Sequence, residues 1–370
     1  MLWLSSGLLL ASLQLVSATL QIVPGATWTA SGTNQHVQAH GGGIIKVGST
    51  YYWIGENKLN GGSYQSVNCY SSTNLVEWKY VGALLGLQGS GDLGPNRVVE
   101  RPKVIYNDST KQYVMYMHID SSNYGEAKRA NGLRINKLSS DYLSVVSNVY
   151  TWSQKYEAPA VFKSNGVYFM LASQLTGWDT NDNMYSTSTS LSGPWSSWKT
   201  FAPAGTRTYD SQTTFVLQVG NNFMYMGDRW FSNNLMRSSY IWLPLSVSGT
   251  TLSLPNNYVN WVMDANSGSM TAGRAAVVAS CSGCSGGFAV GYLGGSGNGV
   301  LTFNNVGSNA STRTTLRIKH ENGDTAQRYG TITVNGVSQT VAFLPTADGQ
   351  TPGSRDGYVA DIDRLMVPVS

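Results

Sequence analysis

The sequence predicts an all-β chain, a β-propeller followed by a β-sandwich, on three observations. Helical periodicity is almost absent, and short alternating runs broken by Gly, Asn, Ser and Asp dominate. One hairpin pattern recurs four times at the length of a propeller blade. Beyond residue 261 the repeat stops, and short, regularly spaced strands take over.

The first element is not part of either domain. Met1 to Ala18 carries no charge, contains the apolar run Leu8-Leu9-Leu10-Ala11-Ser12-Leu13-Gln14-Leu15-Val16 and ends on the small-x-small pattern Val16-Ser17-Ala18. It reads as a secretory signal peptide spanning 1–18, although a basic start is lacking. A secreted, extracellular product is therefore expected. Asn107-Asp108-Ser109 and Asn309-Ala310-Ser311 are then glycosylation acceptors.

Residues 19–261 form the propeller. The repeats are AHGGGIIKVGSTYYWIGE (39–56), ERPKVIYNDSTKQYVMYMHI (100–119), EAPAVFKSNGVYFMLASQ (157–174) and SQTTFVLQVGNNFMYMGDRW (211–230). Each has a small or acidic entry, an apolar pair, a polar turn and an aromatic-rich strand. The pairs Ile44-Ile45, Val104-Ile105, Val161-Phe162 and Phe215-Val216 lie 60, 57 and 54 residues apart. At roughly 57 residues per blade the region holds about four blades. The inner strand of each would begin at its entry residue and aim that side chain at a central pocket. Residues 262–370 form the second domain, with GFAVGYLG, GVLTFNNV, TRTTLRIKHENG, RYGTITVNG and QTVAFLP as strands of a sandwich. No Pro/Ser linker intervenes, so the two domains are expected to abut.

Composition narrows the ligand. Charged residues make 12% of the chain, about half the usual share, while 41% is hydrophobic and 11% aromatic. That excludes a disordered chain. A net charge of +4 without a basic run argues against nucleic acid. No stretch past the leader reaches a membrane span. A Tyr-, Trp-, Asn- and Ser-rich β protein suits neutral polar ligands, sugars foremost. Of three cysteines, Cys281 and Cys284 are spaced for a local disulfide, which leaves Cys69 over. A monomer is expected.

Longer motifs carry a resemblance. ERPKVIYN, YMHIDSSNYGEAK, EAPAVFK, LTGWDTNDN, LSGPWSSW, YDSQTTFV and FMYMGDRW resemble the exo-β-1,3-galactanases of fungi in glycoside hydrolase family 43. The tail resembles a family 35 carbohydrate-binding module through CSGCSGG, VGYLGG, VNG and DIDR. The resemblance implies a five-bladed propeller that releases galactose from β-1,3-galactan, the arabinogalactan backbone, with inversion. Five blades need roughly 285 residues, and the region is about 40 short. The shortfall falls at YGEAKRANGLRI (124–135), so the second half of one blade and the first half of the next are expected to be absent, with the remainders spliced into one hybrid blade. A second shortening is placed between Arg355 and Asp356. Both read as skipped exons or a misassembled gene, with a natural four-bladed form as the other reading. Cys69 would have lost its partner in the first gap.

Glycoside hydrolysis needs a proton donor and a group that handles water. Glu157 opens the third repeat, and aromatic pocket walls would raise its pKa as a general acid requires; the resemblance gives it that role. Gln212 stands at the matching entry of the fourth repeat, where the resembling enzymes use a glutamine to hold the attacking water, with an imidic acid tautomer as one route. Glu100 is implied as a ligand of the terminal galactose, or alternatively as an ion-pair partner of Arg101 or Lys103. Glu56 and Tyr124 are further sugar ligands, and Trp178 and Trp230 offer stacking faces or pack as core. His40 reads as a hydrogen-bonded pocket residue, Asp228-Arg229 as a structural pair, and Asp179 and Asp182 as Asx-turn residues. Asp264, Asn266, Asp361 and Asp363 supply hard oxygens for a structural Ca²⁺; no catalytic cofactor is expected.

The aspartate that tunes the general acid in the family falls in the gap, so slow or absent turnover is expected. A non-catalytic carbohydrate-binding protein is the alternative. Another family 43 specificity, arabinofuranosidase or xylosidase, is disfavoured because those enzymes use a carboxylate base where Gln212 stands.

Overall fold

The computed structural model describes residues 22, 25–125, 132–255, 270–273, 276–280, 288–303, 315–346 and 361–366. The leader, the 261/262 boundary, Asp264, Asn266, Cys281, Cys284, Asn309 and the 355/356 junction lie outside them.

The chain folds as antiparallel sheets, as its alternation requires. β1 (His40–Val47), β2 (Thr50–Glu56), β3 (Ser66–Ser72) and β4 (Lys79–Gly86) form a four-stranded meander. β9 (Tyr156–Ser164), β10 (Val167–Gln174), β11 (Met184–Ser188) and β12 (Lys199–Thr200) form a second, and β13 (Gln212–Val219), β14 (Asn222–Arg229), β15 (Ser239–Ser248) and β16 (Thr251–Ser253) a third. Between the first and second, β5 (Arg97–Asn107) pairs only with β6 (Gln112–Ser121), and β7 (Arg134–Leu138) only with β8 (Val145–Thr151). The hairpin turns carry the residues their twist demands: Asn165 and Gly166 join β9 to β10 with φ of 45° and 84°.

The four repeated segments are the inner hairpins β1–β2, β5–β6, β9–β10 and β13–β14. The expected hybrid blade does not form. β5–β6 and β7–β8 stay separate two-stranded sheets, each packed on a complete neighbour. Val99 and Val104 of β5 and Met115, Met117 and Ile119 of β6 join Ile54, Val67 and Cys69 of the first sheet. Leu133, Ile135, Tyr150 and Trp152 join Met170, Ala172, Trp195 and Trp198 around the second. Apolar burial against an existing sheet holds each hairpin, and among the described residues their edges form no common ladder. The halves do touch: the Tyr116 hydroxyl donates to the Tyr142 carbonyl at 2.5 Å, and Asn107 Nδ2 to the Ser140 carbonyl at 2.7 Å.

Aromatic packing locks the complete sheets. Trp53, Trp78 and Trp242 meet Trp28 and Tyr240 between the first and third sheets, with Trp53 1% exposed. Phe162, Phe169 and Phe223 fill the space between the second and third. At about 25 cal/mol per Å² such burial is the main stabilising term of the ring.

In the C-terminal part, β18 (Val277–Ser280), β19 (Phe288–Gly291), β24 (Asp361–Met366) and β21 (Arg317–Glu321) form one sheet, in that order. β17 (Met270–Gly273) pairs with β20 (Val300–Phe303), and β22 (Arg328–Val334) with β23 (Val337–Phe343). Val290, Leu293 and Phe343 centre its small core. This part abuts the propeller as expected. The His36 N–H donates to Gln327 Oε1 at 3.2 Å, the Ala342 N–H to Thr29 Oγ1 at 3.0 Å, and Asn234 Nδ2 to the Thr325 carbonyl at 3.1 Å.

Candidate active site

One local device repeats at the centre. In each inner hairpin the ladder is interrupted beside the entry residue, between His40 and Gly43, Glu100 and Lys103, Leu171 and Ser173, and Thr213 and Phe215. A left-handed residue follows the entry in three of them: Gly41 (φ 58°), Arg101 (φ 55°) and Ala158 (φ 54°). Such bulges re-aim side chains. A Cβ at Gly41 would meet Glu56 Oε1, and its φ of 58° favours glycine, so a side chain there would displace the Glu56 carboxylate.

The fourth entry is set differently. Arg207, Thr208, Tyr209 and Asp210 all have positive φ, a short left-handed turn leading directly into Ser211 and Gln212. Asp182 holds its start by accepting from the Gly205 and Arg207 N–H groups at 2.7 and 2.8 Å. The Tyr209 hydroxyl donates to the Leu254 carbonyl at 2.9 Å, and Arg229 Nε and Nη2 donate to the Tyr209 carbonyl. Ser211 Oγ closes back onto the Thr208 carbonyl at 2.6 Å.

These devices bring Glu56, Glu100, Arg101, Tyr124, Glu157, Gly177, Trp178, Gln212 and Trp230 around one cavity of about 110 Å³. Gln212 Nε2 donates to Glu157 Oε1 at 2.8 Å. Gln212 Oε1 accepts from Trp230 Nε1 at 2.9 Å and from Arg101 Nη2 at 2.5 Å. Glu100 accepts from the Tyr124 hydroxyl at 2.6 Å and lies 3.0 Å from His118 Nδ1. Burial pushes its carboxyl up, but the His118 and Tyr124 hydrogen bonds and the positive Arg101 and Lys58 outweigh that and hold it at about 2. Glu56 is almost buried; Oε1 takes the Arg101 N–H at 2.7 Å and Oε2 pairs with Lys58 Nζ at 2.8 Å. Trp178 and Trp230 meet edge to face at 5.0 Å and wall one side. Beneath them, burial and the nearby Arg101 charge push the Lys103 ammonium down to about 7 against the pull of Glu56 and Asp228.

Residues 102–233 match the family described as glycosyl hydrolases family 43. The exo-β-1,3-galactanase of Phanerochaete chrysosporium, solved with galactose, is 32% identical over 94% of this chain and 100% of that one, with a TM-score of 0.63. The chain belongs to glycoside hydrolase family 43. A β-1,3-galactosidase of family 43 is 30% identical over 63% of this chain and 62% of its own, with a TM-score of 0.57. The exo-β-1,3-galactanase of Clostridium thermocellum, 23% identical over 94% and 99% of the two chains, shares the fold at a TM-score of 0.59. No curated protein sequence matches the chain.

As a family 43 member the protein is a glycoside hydrolase with the fold of the five-bladed propeller enzymes. The seven propeller residues that the sequence offered as catalytic or sugar-binding candidates (Glu157, Gln212, Glu100, Glu56, Tyr124, Trp178 and Trp230) meet at this cavity. Several expectations around it change. Glu100 pairs with His118 and Tyr124 rather than with Arg101 or Lys103. His40 does not line the cavity: fully buried, it stacks on Tyr240 at 4.6 Å and lies 3.2 Å from Asp228. Asp228 takes the Gly41 N–H at 2.6 Å and Arg229 reaches the Tyr209 carbonyl, so each makes a structural bond of its own. Asp182 secures the turn at 205–207, not one of its own. Arg101 and His118 were not singled out for the site. A second cavity of about 400 Å³ adjoins the first, sharing Trp178 and Trp230 and reaching Arg207, Arg229 and Asn234. Among the described residues no cluster of His, Cys, Asp or Glu is arranged to hold a metal ion, and no helix is long and apolar enough to cross a membrane.

Proposed function

We propose that this chain is a secreted, exo-acting hydrolase of β-1,3-galactan in which Glu157 donates the proton to the leaving oxygen and Gln212 orients the attacking water, with inversion. The observation that carries the reading is the meeting of Glu157 and Gln212, from matching entries of two inner hairpins, at one small cavity walled by two indoles. Pockets for drug-sized ligands run to roughly 300–1,000 Å³. A cavity of about 110 Å³ suits one terminal sugar ring rather than a run of them. Glu100, Glu56 and Tyr124 line this cavity and are read as holding the sugar hydroxyls, and Trp178 and Trp230 as its stacking faces. The Phanerochaete enzyme has been solved with galactose and, in glutamate variants, with β-1,3-galactotriose, which supports the substrate.

The C-terminal part is read as a carbohydrate-binding sandwich with a structural Ca²⁺, raising the local concentration of polymer. Turnover below that of the Phanerochaete enzyme is expected on the reading that the acid-tuning aspartate the resemblance implies falls in the gap at 124–135. The two half-sheets β5–β6 and β7–β8 favour a second reading, a carbohydrate-binding protein without turnover.

Glu157→Gln separates the two. The parent should release galactose from β-1,3-galactotriose, the α anomer appearing first by NMR, and the variant should lose about 100-fold or more while still binding the oligosaccharide. Binding without hydrolysis by the parent itself would establish the second reading.

A further inference from the structure

We propose that Asn107 is the clasp between the two half-sheets, and that an N-linked glycan on it and a docked β7–β8 hairpin exclude each other. The glycan half of this rests on the secreted reading, since only an exported chain meets the glycan donor.

Asn107-Asp108-Ser109 ends β5 and enters the turn to β6. An acceptor sequon belongs on an open surface loop, yet Asn107 is 1% exposed. Both ends of its amide are engaged. Oδ1 accepts from the Ser109 and Thr110 N–H groups, both at 3.0 Å. Nδ2 donates to the Ser140 carbonyl at 2.7 Å. Ser140 lies in the turn that joins β7 to β8. That turn is braced from within: Asp141 Oδ1 accepts from the Ser139 hydroxyl at 2.5 Å and from the Leu143 N–H at 3.0 Å, and the Ser144 N–H donates to Ser139 Oγ at 3.0 Å. Tyr116 of β6 reaches the Tyr142 carbonyl of the same turn. The β5–β6 hairpin thus grips a preformed turn at two points. No ladder joins the two hairpins among the described residues, so these side-chain bonds do the joining.

Glycan transfer joins Nδ2 to the anomeric carbon of an oligosaccharide carried on a lipid pyrophosphate. A C–N bond forms, the C–O bond to the pyrophosphate breaks, and one amide proton leaves. The nitrogen keeps one hydrogen and gains a sugar ring. A side chain covered this completely has no room for the ring, so a modified Asn107 must swing out. The Ser140 carbonyl then loses its donor, and the Ser109 and Thr110 N–H groups lose their acceptor. In the other order of events, docking covers Nδ2 and closes the sequon to transfer.

Two measurements test this. In the first, the full chain is made in a eukaryotic secretory host. The peptide carrying Asn107 is analysed by mass spectrometry in the monomeric secreted protein and in chain retained inside the cell. Occupancy should be lower in the secreted protein by about 10-fold or more, the scale of one buried hydrogen bond. Equal occupancy in the two, at any level, overturns the exclusion. In the second, Asn107→Asp keeps the size and the Oδ1 acceptor but sets an oxygen against the Ser140 carbonyl. Hydrogen exchange in β7–β8 should quicken about 10-fold while β1–β2 stays as slow as in the parent. Unchanged exchange in β7–β8 overturns the clasp, and so does equal quickening in β1–β2, which would place Asn107 in the common fold. A chain that is never exported fails the secreted reading alone, and the exchange measurement then decides the proposal by itself.

Discussion

Glu100 shows how one side chain's charge is kept available. His118 and Tyr124 donate to it, and His118 Nε2 backs onto the buried Asp120 at 3.5 Å. Because the folded carboxyl is held at about 2, below its usual 4.5, its contribution to stability is fully present above about pH 4.5 and is lost as pH falls toward 2. His118→Phe removes a donor and should raise that carboxyl. Galactose affinity measured calorimetrically should then weaken between pH 5 and 4 in the variant and hold steady in the parent. The entry residues Glu157, Gln212 and Glu100 were legible in the sequence because a repeat period and a scarcity of acids single them out; Glu56, at the far end of the first hairpin, is marked by the resemblance and not by the repeat. Arg101 was not legible. In a regular strand the residue after an inward-facing one points away; only the bulge turns Arg101 back into the cavity, and alternation alone carries no sign of it. His40 misled for a related reason: it shares an entry position, but its ring is fully buried, stacked on Tyr240 and 3.2 Å from Asp228, away from the cavity lining.

At the level of elements, the left-handed turn at 207–210 decides where Gln212 lies. Four consecutive residues outside their preferred conformation persist because Asp182, Arg229, Ser211 and the Leu254 carbonyl hold them. Tyr209→Phe removes the bond to Leu254 and leaves a buried carbonyl short of a donor. A loss of about 1–3 kcal/mol in urea denaturation is expected, with a larger fall in kcat than in galactose binding, since the turn aims Gln212 and not the sugar ligands. The four inner hairpins were readable as spaced repeats, whereas the turn contains no glycine after Gly205 and so gave no conventional signal. That β6 and β7 form no ladder with each other among the described residues was equally hidden, because strand propensity says nothing about which edges find partners.

Across the whole molecule, stability should be uneven. The first and third sheets share a core of four tryptophans, while β7–β8 exposes Leu143 at 66% and Val146 at 61% between and along its strands. Hydrogen exchange should therefore be fastest in β7–β8 and slowest in β1–β2 and β13–β15; uniform protection across all five propeller sheets would contradict the half-sheet architecture. The C-terminal part, bonded through Gln327, Ala342 and Thr325, should protect residues 29–36 in the same experiment. The separateness of the two half-sheets also has an engineering consequence. Among the described residues each hairpin leans on a finished neighbour and shares no ladder with the other, so foreign strands can be grafted along the edges of β6 and β7 without breaking an existing ladder.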